Sequence, residues 1–172
     1  MQKISTCLWY DTEAEEAANF YTSIFKNSRI LRTLYTDASF SESAAAAGVP
    51  NEEVAKEGSV LTVEFELDGR PFMALNGGPI FKFNESVSLV VNCTSQDEVD
   101  YYWNALLADG GQESMCGWLK DKYGLSWQIT PTRLIDLIND PDREKAHRAY
   151  HAMLSMRKID IQRIEDAAAN KK

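Results

Sequence analysis

Histidine is nearly absent from this chain: among 172 residues only His147 and His151 occur, four apart and late in the sequence. A Ser-His-Asp relay or a multi-histidine metal site would have to draw on that one segment. Cysteine is scarce as well, and Cys7, Cys93 and Cys116 are odd in number and scattered, which excludes a disulfide framework. No stretch approaches the roughly 20 apolar residues needed to span a bilayer. Basic residues are outnumbered, 18 against 26 acidic ones. The resulting net charge of −8 gives no long-range attraction to nucleic acid or anionic membrane, and neither is expected as a partner. Met1-Gln2-Lys3-Ile4-Ser5 leads straight into a strand pattern without a secretory apolar core, so a cytoplasmic location is expected.

What the chain does contain is a pattern written twice. Thr12-Glu13-Ala14-Glu15 and, 83 residues later, Ser95-Gln96-Asp97-Glu98 both read as capping boxes. In such a box the N-cap hydroxyl meets the backbone N–H three residues on, and that residue's carboxylate reaches back. An apolar stripe follows each: Ala14, Ala17, Ala18, Tyr21, Ile24 and Phe25, then Val99, Tyr102, Trp103, Leu106 and Leu107. That spacing predicts one buried helix face in each copy.

Strand patterns surround both helices. Residues 3–10, 28–36, 60–67 and 71–76 form the first set, with Asp68-Gly69 as a hairpin signal and Gly77-Gly78-Pro79 as a stop. Residues 86–93, one or two short strands in 112–120, and 125–130 form the second, with Gly110-Gly111 ending the helix and Pro131 closing the last strand. The pattern lapses over 37–58, read as a rim insertion or short helix, with a lid as the functional alternative. In the tail, Asp140-Pro141 reads as an N-cap followed by proline at the first helical position. Ala146, Tyr150, Met153 and Leu154 follow at helical spacing, and Ile159, Ile161 and Ile164 suggest a last short helix. The fold class is therefore α+β: one domain over 1–172, with βαβββ modules at 1–78 and 84–131 and a helical tail at 132–172.

Leu8-Trp9-Tyr10, Asn19-Phe20-Tyr21, the run from Cys116 to Asp121, the run from Tyr123 to Ile129 and Pro131 carry a family resemblance. The chain resembles the vicinal oxygen chelate superfamily, the glyoxalase/bleomycin-resistance fold. Within it the chain is similar to the PhnB-like branch, often labelled 3-demethylubiquinone-9 3-methyltransferase. The resemblance spans nearly the whole chain. It implies paired modules in a curved mixed sheet around a concave pocket, and a homodimer. It also implies a divalent ion on the first and last strands of each module, held by histidine and glutamate. Counting back seven from each N-cap gives Ser5 and Ser88, or Thr6 and Leu89 after a one-residue slip; the last strands offer Gln128 and either Met73 or Ala74. Hydroxyls and a lone amide are poor metal ligands, so no metal and no other cofactor is expected. His147, His151 and Glu144 share a face of the tail helix and form an outlying zinc alternative to a plain helix surface.

No Gly-rich turn joins a strand to a helix, which leaves the methyltransferase label without residue support. Strand alternation puts Ser5, Cys7 and Trp9 opposite Thr6, Leu8 and Tyr10, and Ser88, Val90 and Asn92 opposite Leu89, Val91 and Cys93, with Ser126, Gln128 and Thr130 as the polar set of the last strand. The more polar sets are expected to face the cavity. Trp9, Asn76, Ser88, Trp118 and Gln128 are the expected ligand-binding residues, holding a small organic molecule by stacking and neutral hydrogen bonds. No catalytic residue is assigned. The alternative is a lyase, isomerase or oxygenase, working either through a metal on ligands not foreseen here or, without metal, through Glu64 or Glu66 as acid–base group.

Overall fold

The computed structural model describes residues 3–48 and 56–170. The chain divides into two compact units, Met1–Lys82 and Phe83–Lys172. The first contains β1 (Thr6–Tyr10), α1 (Ala14–Ile24), β2 (Arg29–Tyr35), α2 (Ala38–Ala46), β3 (Val60–Leu67) and β4 (Arg70–Asn76). Its sheet runs β1-β4-β3-β2, with β1 parallel to β4 and the other pairs antiparallel. Asp68 and Gly69 turn β3 into β4 with φ of 48° and 73°. Two successive positive φ values match the twist of the flanking strands, which is why Asp-Gly works there. Leu8, Tyr10, Val63, Phe65, Phe72 and Ala74 are buried, as are Ala14, Ala17, Ala18, Tyr21 and Ile24 on α1. Tyr21 lies over Phe65 with ring centroids 6.4 Å apart, so the predicted helix stripe and the alternating strand residues meet in one core.

The first capping box does not form. Glu13 occupies the N-cap of α1 with no side-chain cap bond, and its carboxylate accepts the Thr12 N–H at 2.9 Å. The Ala14 N–H instead donates to Asn76 Oδ1 at 2.8 Å. Tyr10 and Asn76 are register partners at the ends of β1 and β4, so the sheet itself delivers an acceptor to the helix start. A nonlocal acceptor held by the sheet displaces the local one. In the 37–58 insertion a short helix, α2, is present and buries no residue. Asp37 caps it, and the Ser39 hydroxyl holds the Asp37 carboxyl below its ordinary range. Residues 49–55 of that insertion lie outside the described residues.

The second unit repeats the plan with β5 (Ser88–Cys93), α3 (Gln96–Leu107), β6 (Gln112–Glu113), β7 (Trp118–Lys120) and β8 (Ser126–Pro131) in the order β5-β8-β7-β6. The fold is thus α+β with two βαβββ modules, each with its own four-stranded mixed sheet. At α3 the box forms with a one-residue shift. Ser95 Oγ accepts the Glu98 N–H at 3.2 Å, while Glu98 reaches back to the N–H of Thr94 at 2.7 Å rather than to that of Ser95.

The tail belongs to the second unit. Pro131 does not end the regular structure: it is the last residue of β8 and the N-cap of α4 (Thr132–Ile138), a helix the sequence pattern did not reveal. The next helix, α5 (Arg143–Leu154), is capped by Asp142, not Asp140. The Asp142 carboxylate accepts the N–H groups of Glu144 and Lys145, whereas Asp140 accepts the Asp142 N–H and pairs with Lys145 at 2.5 Å. The buried residues of α5 are Ala146 and Ala149; Tyr150 and Leu154 are exposed. With α6 (Ile161–Ala168) the tail closes a core of Leu134, Leu137, Ala149, Met156, Ile159, Ile164 and Ala168. It is tied to the module where Cys116 and Gly117 donate their N–H groups to the carbonyls of Met156 and Arg157, both at 2.7 Å. Gly117 has φ +82°, and a Cβ there would lie 2.8 Å from the Ile129 carbonyl oxygen, so glycine is required.

Candidate functional site

In the first module the face opposite the buried strand residues carries Cys7 and Trp9, Met73 and Leu75, and Thr62, Glu64 and Glu66, matched by the register of β1, β4 and β3. In the second it carries Ser88, Val90 and Asn92, then Ser126, Gln128 and Thr130, with Trp118 and Lys120 beside them. The alternation read from the sequence thus divides each sheet into a buried apolar face and a more polar one. The expected ligand-binding residues fall into two groups, Trp9 with Asn76 and Ser88 with Trp118 and Gln128.

Trp9 is half-buried. Its indole Nε1 donates to the Gly78 carbonyl at 2.9 Å, and Phe81 stands edge-on to it at 4.9 Å. Gly77 passes under the ring so closely that a Cβ would be 2.2 Å from it, which explains a glycine at this exit from β4. Asn76 uses both ends of its amide internally, accepting from Ala14 and donating to the Val60 carbonyl at 2.9 Å. In the second module Gln128 Nε2 donates to Ser88 Oγ at 2.9 Å, and Trp118 is the β7 register partner of Gln128. Trp127 is core: it is 2% exposed and its indole N–H donates to Asp121 at 2.8 Å. The turn from Asp121 to Gly124 is legible in the sequence as an aspartate opening a turn that ends in glycine, but the bond from the Trp127 indole to the Asp121 carboxylate is not.

The two copies can be aligned by register. Met73 is the partner of Cys7 as Gln128 is of Val90, and Cys7 and Val90 lie 83 residues apart, like the two helix starts. This selects Met73 over the buried Ala74 as the equivalent of Gln128. The positions where the resemblance implies metal ligands therefore hold Ser5 and Met73 in one module and Ser88 and Gln128 in the other. Two hydroxyls, a thioether and an amide do not fit a divalent cation. Among the described residues, no three His, Cys, Asp or Glu side chains form a group suited to a metal ion, and the exposed His147 and His151 do not make one with Glu144. Glu64 and Glu66 are engaged by Arg32 and Arg29 respectively. A separate groove of about 590 Å³ is lined by residues including Ser95, Gln96, Arg133, Lys158 and Glu165. Its cations are paired, Arg133 with Glu165 and Lys158 with Asp100, both at 2.6 Å.

Neither Cys7 nor Cys93 is an activated nucleophile. Desolvation pushes the Cys7 thiol up, and the buried Cys93 is pushed up to about 12, by burial first and by the charge of Glu98 second. An ordinary cysteine ionises near 9.0. The raised folded-state value means that the Cys93 contribution to stability is intact below that pH and is lost as pH climbs from there to about 12. The Cys93→Ala variant is expected to lose less stability than the parent over this interval in urea titrations at stepped pH; parallel curves would contradict the assignment.

Residues 2–130 match the 3-demethylubiquinone-9 3-methyltransferase family. The PhnB protein of Bacillus cereus, which carries the same description, is 35% identical over 76% of this chain and 99% of its own, with a TM-score of 0.62. The protein PA1353 of Pseudomonas aeruginosa shares the fold at 17% identity, covering 76% of this chain and 98% of its own with a TM-score of 0.57. No curated protein matches. Two βαβββ modules of one topology define the class, the vicinal oxygen chelate fold, and the chain belongs to its PhnB-like branch, the 3-demethylubiquinone-9 3-methyltransferase family. Among the described residues no helix is long and apolar enough to cross a membrane.

Proposed function

We propose that this protein is a cytoplasmic homodimer that binds a small uncharged organic molecule on the polar face of one or other of its sheets, without a metal or other cofactor. The observation that carries the reading is the content of those faces. Each module presents a half-buried tryptophan, Trp9 or Trp118, and the metal-ligand positions are filled by groups that hydrogen-bond without charge or do not bond at all. Stacking surface with a few neutral donors and acceptors is the chemistry of a site for a planar or amphipathic molecule.

Methyl transfer finds no support in the strand-to-helix turns. Residues 11–13 and 94–95 contain no glycine. The start of α1 is taken by Asn76, and that of α3 by Ser95 with Asp97 and Glu98 in its first turn. Negative side chains at a helix start disfavour a second anion there.

Two measurements test the proposal. Mass spectrometry of the protein as isolated is expected to find a small molecule released on denaturation, and Trp9→Ala or Trp118→Ala is expected to weaken its rebinding by about tenfold or more. Elemental analysis after purification without chelator is expected to find no stoichiometric metal. Zinc, nickel, manganese or iron at one equivalent would replace the binding reading with that of a metal-dependent lyase, isomerase or oxygenase.

A further inference from the structure

Ser126 is 1% exposed, and its Oγ is the one buried side-chain oxygen or nitrogen among the described residues that has no hydrogen-bond partner. A buried hydroxyl left unpaired is destabilising, because the hydrogen bonds it gave up in water are not replaced. Such a group in a well-packed sheet calls for a partner that the protein itself does not supply.

Its surroundings define that partner. Ser126 opens β8 at one end of the second module's polar face, with Ser88 as its register neighbour on β5 and Lys120 on β7. The Ser88 oxygen accepts from Gln128 Nε2, which leaves the Ser88 hydroxyl proton to donate elsewhere. Gln128 Oε1 accepts no hydrogen bond from the described residues, so it is an available acceptor two residues along the same face. The Lys120 ammonium is paired with Glu85. That hydrogen bond is the main reason the Glu85 carboxyl titrates below its ordinary range. The uncommitted groups of the strip are thus two O–H donors and one amide acceptor, all uncharged.

We infer that Ser126, with Ser88 and Gln128, forms a built subsite for a neutral carboxamide group, an inference that rests on the ligand-binding reading above. Adjacent strands lie about 4.8 Å apart, so hydroxyls on neighbouring strands can share one carbonyl oxygen at about 2.8 Å from each. An N–H beside that carbonyl then donates to Gln128 Oε1. A carboxylate has the acceptor oxygens but lacks the N–H, and the nearby cation is already paired.

The test is an NMR titration of the full chain with benzamide and, separately, benzoate. Benzamide is expected to shift the backbone amides of Ser88, Ser126 and Gln128 and the Trp118 indole, and to bind at least tenfold more tightly than benzoate. Ser126→Ala is expected to weaken benzamide about tenfold while leaving the melting temperature unchanged or higher, because the lost hydroxyl had no internal partner. Ser126→Cys, which keeps the volume, is expected to show the same loss. If benzamide binds beside Trp118 but Ser126→Ala has no effect, or if benzoate binds equally well, the subsite inference is overturned while the binding reading stands. If Ser126→Ala lowers the melting temperature by several degrees with binding unchanged, the hydroxyl is structural and the inference fails. If neither probe shifts any resonance of the strip, the inference and the binding reading at this face fail together.

Discussion

Replacing Asp121 with alanine is expected to cost about 3–5 kcal/mol of folding stability, the largest single-site effect anticipated for this protein. Asp121 is 2% exposed. One carboxylate oxygen accepts the N–H groups of Tyr123 and Leu125 at 2.9 and 3.1 Å, and the other accepts the Trp127 indole N–H at 2.8 Å. The backbone closes the same turn, with the Asp121 N–H on the Leu125 carbonyl and the Gly124 N–H on the Asp121 carbonyl. Truncation strands three donors in or near the core, and losing a charged acceptor from a buried network is among the costlier single changes. Asp121→Asn is expected to fall between, since it keeps one acceptor oxygen but turns an amide N–H toward either the indole or the turn. Urea unfolding followed by tryptophan fluorescence measures both. A loss below about 1 kcal/mol in the alanine variant would show that the turn holds without its carboxylate.

Asn76→Ala is expected to cost about 3 kcal/mol. The helix α1 loses its only cap, worth about 1 kcal/mol, and the Val60 carbonyl loses its donor. Asp at this position restores the acceptor and adds a favourable negative charge at a helix start, so Asn76→Asp is expected to recover roughly half of the loss. Thr12→Ala is the informative control. A working capping box at Thr12 would make that change cost about 1 kcal/mol, whereas the observed arrangement leaves it nearly neutral. Equal losses at Thr12 and Asn76 in chemical denaturation would reverse the assignment of the cap.

These two residues also mark how far the sequence could be read. Helix stripes such as Ala17, Ala18 and Tyr21, the alternation in Val60–Leu67 and the Asp68-Gly69 turn are local signals whose physics is complete within a few residues, and the structure has them where they were expected. Cap assignment was less secure because several acceptors compete for the same N–H groups. At α1 the winner, Asn76, lies 62 residues away. At α5 it was Asp142 over Asp140, because only the Asp142 carboxylate reaches two N–H groups of the first turn. The helix α4 escaped notice because Pro131 reads as a stop, yet its fixed φ suits an N-cap position equally well.

For the candidate site, alternation placed Trp9, Ser88 and Gln128 on the polar faces, but pairing partners are not written in any strand. Only the register showed that Ser88 and Gln128 bond to one another, that Met73 rather than Ala74 is the counterpart of Gln128, and that Ser126 is buried without a partner.

By itself, then, the sequence determined the duplicated βαβββ plan, the helix and strand faces and the absence of imidazole from the strands, because each depends on residue type and short-range periodicity. The tertiary structure alone decided which side chains cap the helices, how the tail docks on the second module through Cys116 and Gly117, and which hydroxyls are satisfied. Those outcomes depend on which distant groups the sheet order brings within hydrogen-bond reach, and no local pattern encodes that distance.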